Sequence, residues 1–318
     1  MNPSVSIVVP LHDAAATVEA ALDAVVAQSV GDWELVVVDD ASTDGGPAVV
    51  RAWIDRHGRG RLLATPGPTP AGPSAARNLG LAATGAPTVA FLDADDRWHP
   101  DFLARRLAAL ERHPGAGLVW GPARYWYPDE PGLDFDQPHR FAPDRVEVLA
   151  PGGPLVRWVQ DLRSTPCPSA TVFDRAGLTA VGGWPEDLVR GEDIATCLLV
   201  AGRRRSVHDP EVLVDYRRHA GSATSRANAT GDRSAGDVAF GRWLVAAGRE
   251  RPELGRLRRL GPRVLHGIAH GGAVDRGPLG GRLAISRTVL TTPGCRPRAG
   301  AVALDWLLPL PVARRVAA

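Results

Sequence analysis

Lysine is absent from this 318-residue chain, and all 37 basic residues are arginine. Mechanisms that need a lysine, including the strand-end lysine of phosphoacceptor receivers, are therefore excluded. Cysteine is scarce: Cys167, Cys197 and Cys295 form an odd, scattered set, with no signal peptide ahead of them. That pattern argues against a metal-thiolate centre and predicts a reducing, cytoplasmic setting. Long apolar runs are missing too. The nearest, Ala301 to Ala313, is broken by Asp305 and two prolines, so no membrane-spanning helix is expected. The glycine-rich turn of a dinucleotide binder is also lacking, because PLHDAA follows the first apolar run.

What is present is globular: 44% hydrophobic and 23% charged residues, enough for one large domain or two small ones. The net charge of +2 conceals an asymmetry. Residues 1–240 carry 23 arginines against 31 acids, a net −8, while residues 241–318 carry 14 against 4, a net +10. The basic segment predicts either packing against the acidic part or peripheral contact with an anionic membrane at its inner face; no nucleic acid is implied.

Continuous apolar runs at Val5–Val9, Leu35–Val38, Arg61–Ala64 and Thr88–Leu92 alternate with helical spacing over Ala14–Gln28, Ala48–Asp55 and Ser74–Ala83. Buried strands separated by helices indicate an α/β fold with a mostly parallel sheet covered on both faces. Ligands then sit beyond the carboxyl ends of the strands. Residues 121–153 read as a long loop with short strands, 169–216 returns to sheet and helix, and the chain after Asn228 reads as helical.

Polar clusters fall where those strands end. FLDADDRWHPDF (91–102) gathers Asp93, Asp95 and Asp96 behind a buried strand. Such acids make turns and cap helices, here through Asp96 or Asp101, or they hold a divalent cation together with substrate phosphates. VVVDDASTDG (36–45) offers a turn, or a carboxylate for a base or ribose. Arg77 in AGPSAARNLG is either a solvated helix residue or a phosphate ligand. Glu192-Asp193 stands at a helix start, favoured by the helix dipole but also suited to a general base. His219 in YRRHAGSAT is a packed residue or a second type of metal ligand.

Taken in order, SIVVPLHDAAATVEAALDAVVAQSVGDWELVVVDDASTDG, AGPSAARN, FLDADD, GGWPEDLVRGED and YRRHAGSAT closely resemble the family 2 glycosyltransferases, over about residues 4–225. The resemblance implies a GT-A fold and inverting transfer from a nucleotide-diphosphate sugar, with uridine or thymidine diphosphate as the carrier. It implies a catalytic domain over 1–227, with a nucleotide-sugar half (1–98) and an acceptor half (99–227); the basic helical region over 228–318 lies beyond the resemblance. Carried over by residue, Asp40 contacts the nucleobase above a floor made by Pro10 and Leu11. Arg77 lies on the nucleotide side and Asp93 meets the ribose. Asp95 and His219 serve a divalent cation, Mn²⁺ or Mg²⁺, and Asp193 is the base. Asp13 departs from the family's usual asparagine. The acceptor implied is a cell-surface glycan or a lipid-linked sugar; a small-molecule or peptide acceptor, or a catalytically silent nucleotide-sugar binder or scaffold, is the alternative.

Overall fold

The computed structural model describes residues 3–128, 135–136, 144–155, 158, 165–219, 233–255 and 257. The first half alternates as read: β1 (Val5–Leu11), α1 (Val18–Val26), β2 (Trp33–Asp39), α2 (Gly46–His57), β3 (Arg61–Ala64), α3 (Pro73–Ala82) and β4 (Thr88–Phe91). Then come β5 (Arg97–Trp98), α4 (Phe102–Arg112), β6 (Ala116–Trp120), β7 (Arg124–Trp126), β8 (Phe135–Asp136), β9 (Glu147–Leu149) and β10 (Thr171–Asp174). The described chain closes with α5 (Arg175–Ala180), α6 (Glu192–Arg203), β11 (Arg205–His208), β12 (Val214–Arg217) and α7 (Arg233–Glu250).

Eight strands form one sheet in the order β3-β2-β1-β4-β10-β6-β11-β9, and β5-β12-β7-β8 form a second. In the large sheet β1, β2, β3 and β4 run parallel, as do β6 and β11. β10 is antiparallel to both of its neighbours, and β9 is antiparallel to β11. The sheet is therefore mixed, and strands from both sequence halves share it.

The apolar runs show why this sheet is buried. Val36 and Val38 of β2, with Val89 and Phe91 of β4, face one core cluster. Their alternates Leu35, Val37, Ala90 and Leu92 face the other, alongside Val5, Ile7, Val9 and Leu11 of β1. Side chains alternate across a strand, so a run without polar breaks supplies both layers at once. Parallel register sets Val8 beside both Val36 and Phe91, so β1, β2 and β4 end at one edge. Leu11, Asp40 and Asp93 are thereby delivered to the same rim.

At the start of the basic segment Leu244, Val245 and Ala247 of α7 are buried, with Phe240 just ahead of them, so this stretch packs against the rest of the described chain. Arg190 donates to Asp237 at 2.7 Å, and Arg203 to Glu253 at 2.7 Å, which pins the basic segment onto the catalytic part. The remaining basic residues after 257, including Ala301–Ala313, lie outside the described residues. Among the described residues, no helix is long and apolar enough to cross a membrane.

Candidate active site

β2 ends in two carboxylates with different tasks. Asp39 accepts from the Ser42 amide and shapes the turn. Asp40 is buried; its Oδ1 accepts from Thr65 Oγ1 (2.7 Å) and the Ala71 amide (2.8 Å), and its Oδ2 accepts from the Gly72 amide (2.8 Å). A carboxylate offers about four acceptor sites, so one on Oδ2 is left for a ligand. The same bonds set the start of α3. Gly72 adopts φ +97°, a region poorly open to side chains, and Pro73 fixes the first helical turn.

Pro10 and Leu11 lie beside this carboxylate, in register with Val38 and Asp39, and Leu11 accepts from the Asp40 amide at 2.8 Å. Asp13 sits at φ +47° and accepts from the Thr43 and Asp44 amides; the Thr43 amide bond holds its carboxyl below the usual range. An asparagine oxygen would take the same amides, so this departure from the family pattern keeps the loop contact.

Arg77 is not a solvated helix residue: its side chain is 4% exposed. Nη2 donates to Asp93 Oδ1 at 2.7 Å, Nη1 reaches Glu192 Oε1 at 3.4 Å, and the guanidinium lies over the Trp184 ring at 4.7 Å. Asn78, one residue on, donates to the Trp184 carbonyl and accepts from its amide, both at 2.8 Å. The two residues bolt α3 to the turn that precedes α6.

Glu192 and Asp193 form the first turn of α6. Gly191 begins α6 at φ +77°, and a Cβ there would fall 2.7 Å from the Phe240 ring of α7. Glycine is required on both counts. Burial drives Glu192 up to about 7, with the Asp193 charge adding to it and Arg77 opposing. Burial likewise raises Asp193, against the pull of the Ile194 amide and Arg77, and Asp93 pushes it up further. The Asp93 charge thus acts on both helix-start acids.

The strand-end acids divide similarly. Asp96 is not a helix cap. It is buried, takes Ser169 Oγ at 2.6 Å and the Arg217 amide at 2.9 Å, and burial with the neighbouring Asp95 and Asp93 charges holds it well above the carboxylate range. Asp101 precedes α4 without a side-chain cap bond. Asp95, 31% exposed, lies with Oδ2 3.1 Å from Nε2 of His219, which is 26% exposed. Burial first, then Asp93, pushes the Asp95 carboxyl up, and His219 opposes. A carboxylate and an imidazole this close could both contact one divalent cation, the carboxylate being the ligand that suits Mn²⁺ or Mg²⁺. No group of three or more such side chains occurs among the described residues.

Sequence reasoning missed two contributors and the bridging role of a third. Ser169 joins the Asp93 amide to Asp96, Thr65 buttresses Asp40, and Glu192 completes the Arg77 bridge. Ser169 and Thr65 carry no local signal, because strands distant in sequence bring them in; Glu192 was visible only as half of an acidic pair.

Residues 6–172 match the family model "Glycosyl transferase family 2". The chain belongs to that family. This glycosyltransferase family chain is 34% identical over 236 residues to the O-antigen biosynthesis protein RfbC of Myxococcus xanthus, covering 72% of the chain but 17% of that relative. In fold it is similar to S. aureus TarS 1-349 in complex with UDP-GlcNAc (TM-score 0.68, 17% identity, 92% of this chain and 82% of that one). It is also similar in fold to the mannosyltransferase PcManGT from Pyrobaculum calidifontis in complex with GDP-Man and Mn²⁺ (TM-score 0.58, 22% identity, 99% and 87%).

Proposed function

We propose that this chain transfers a sugar from a nucleotide-diphosphate donor to a hydroxyl of a glycan or lipid-linked acceptor, with inversion at the anomeric carbon. One observation carries the reading: Arg77 ties Asp93, on the donor side, to Glu192, next to Asp193. Binding groups and a candidate base therefore face one cleft. The RfbC likeness and the UDP-GlcNAc and GDP-Man of the fold relatives support a nucleotide sugar and a surface glycan.

In this reading the free acceptor site of Asp40 takes a nucleobase N–H, over the backbone of Pro10 and Leu11. Asp93 accepts from a ribose hydroxyl while Arg77 fixes its rotamer. Asp95 and His219 hold a divalent cation, which when bound supplies positive charge to the leaving diphosphate. Asp193 takes the proton of the acceptor hydroxyl as its oxygen bonds to the anomeric carbon and the bond to the diphosphate breaks. A single displacement needs no carboxylate nucleophile on the sugar.

The reaction draws on nucleotide sugars at the cytoplasmic side of the cell membrane. Peripheral contact of the basic segment, residues 241–318, with anionic lipid would be checked by vesicle co-sedimentation at low and high salt.

The decisive experiment screens UDP-, dTDP- and GDP-sugars for Mn²⁺-dependent turnover and reads the product's anomeric configuration by NMR. Asp95→Ala should abolish turnover while circular dichroism stays native. Full activity in excess chelator would sink the cation site, and a retained anomeric configuration would sink the single displacement.

A further inference from the structure

The small sheet presents a charged face that the proposed chemistry does not use. Asp215 pairs in register with both Arg97 and Arg124, and Arg217 with Trp126. Alternation along the strands therefore puts Arg97, Arg124, Asp215, Arg217 and Trp126 on one face. The opposite face carries Trp98, Val214 and Tyr216, which pack into the core. Asp215 is committed to Arg124 at 2.8 Å and His99 at 3.3 Å. Arg97 and Arg217 have no carboxylate partner among the described residues. Both instead lie against Trp126, at 4.4 and 5.7 Å from its ring centroid. The ring fixes two guanidinium forks without neutralising them.

This face joins the cleft directly. Arg97 follows Asp96 in the chain, the Arg217 amide bonds Asp96, and His219 beyond it reaches Asp95. Arg97 and Arg217 stand on adjacent strands, Arg97 opposite Asp215 and Arg217 two residues further along β12. One strand spacing of about 4.8 Å and a two-residue offset of about 6.8 Å separate them by roughly 8 Å. That suits an extended chain carrying repeated carboxylates, each matched by a guanidinium fork.

We propose that the Arg97–Trp126–Arg217 face binds the acceptor and selects an acidic glycan, one bearing uronate-type carboxylates; this rests on the glycosyltransferase reading above. Arg97 and Arg217 set specificity and touch no reacting atom.

The test uses the full chain, with an oligogalacturonate and its carboxyl-reduced, neutral counterpart as probes in calorimetry. The acidic oligomer should bind at least about tenfold more tightly at low salt, and weaken as salt rises. Arg97→Gln/Arg217→Gln should remove that preference, and Trp126→Leu should reduce it. Mn²⁺-dependent donor hydrolysis should stay at the wild-type rate in both variants. Equal binding of the two oligomers by the wild type, or an undiminished preference in the double variant, overturns the proposal. So does tighter binding of a short-chain prenyl phosphate, which would assign the face to a lipid phosphate. Absence of donor hydrolysis in the wild type instead strikes the underlying reading, while the calorimetric preference still reports on the face.

Discussion

Arg77 donates to Asp93 at 2.7 Å from a helix 16 residues upstream, and its other nitrogen reaches Glu192, 115 residues away. One buried cation thus fixes the spacing between the strand-end acids and the acids that open α6. Removing it leaves two carboxylates facing each other without compensation. Arg77→Gln should cost about 3 kcal/mol of stability in urea unfolding, and lower kcat at least about tenfold in the protein that remains folded. Arg77→Lys should not rescue it, since an ammonium cannot span both partners. A stable, fully active Arg77→Gln enzyme would show that the bridge is incidental.

Asp193→Asn should separate binding from chemistry. The amide keeps the size of the side chain but cannot take the acceptor proton. Transfer should fall by roughly 10²–10⁴-fold, while the donor Kd by calorimetry changes less than about threefold. Parallel loss of donor affinity and rate would make Asp193 a structural helix-start residue instead.

The pH response follows from Glu192, whose burial raises it to about 7 from an ordinary 4.5. Between those values the unfolded chain holds fewer protons at this site than the folded one, so stability falls as pH rises through the window. The fully ionised side chain costs on the order of 3 kcal/mol. Melting temperatures between pH 5 and 8 should therefore decline more steeply in the wild type than in Glu192→Gln. Burial raises Asp193 as well, so transfer should drop as pH falls through a range above that of an ordinary aspartate. Identical melting profiles for wild type and variant would remove Glu192 from this account.

Away from the cleft, Asp209 accepts from Arg105 at 2.7 and 2.9 Å and forms an ion pair at 2.8 Å with Arg106, which has no exposed side-chain surface. Burial pushes Arg106 down to about 10, with Asp209 opposing. Asp209→Asn strands that charge and should cost about 3–5 kcal/mol by chemical denaturation. Burial opposes ionisation of Asp209, but the Arg105 bond, the Arg106 charge and the Glu211 amide together hold its carboxyl below the usual range. Its contribution is therefore complete above about pH 4 and lost below, so wild type and variant should converge in acid. A gap that persists at pH 2 would contradict the assignment.

The sequence by itself determined the layered sheet. Unbroken apolar runs such as Val5–Val9 and Leu35–Val38 have only one way to bury both faces, and strand ends must then carry the polar residues, as Asp40 and Asp93 do. The motif order also brought the family and the Asp95–His219 and Glu192-Asp193 pairs into view. What each acid does was decided only by the tertiary structure. Asp95 and Asp96 are neighbours of identical chemistry, yet one is open beside an imidazole and the other is enclosed by Ser169 and the Arg217 amide. Arg77 likewise reads as a surface helix residue until the α6 turn closes over it. The small sheet is the furthest from local signals, since β5 is two residues long and pairs with a strand more than a hundred residues away. Local patterns fix periodicity and burial, because these depend on neighbours in the chain. The environment of a charge depends on groups that only folding brings near it.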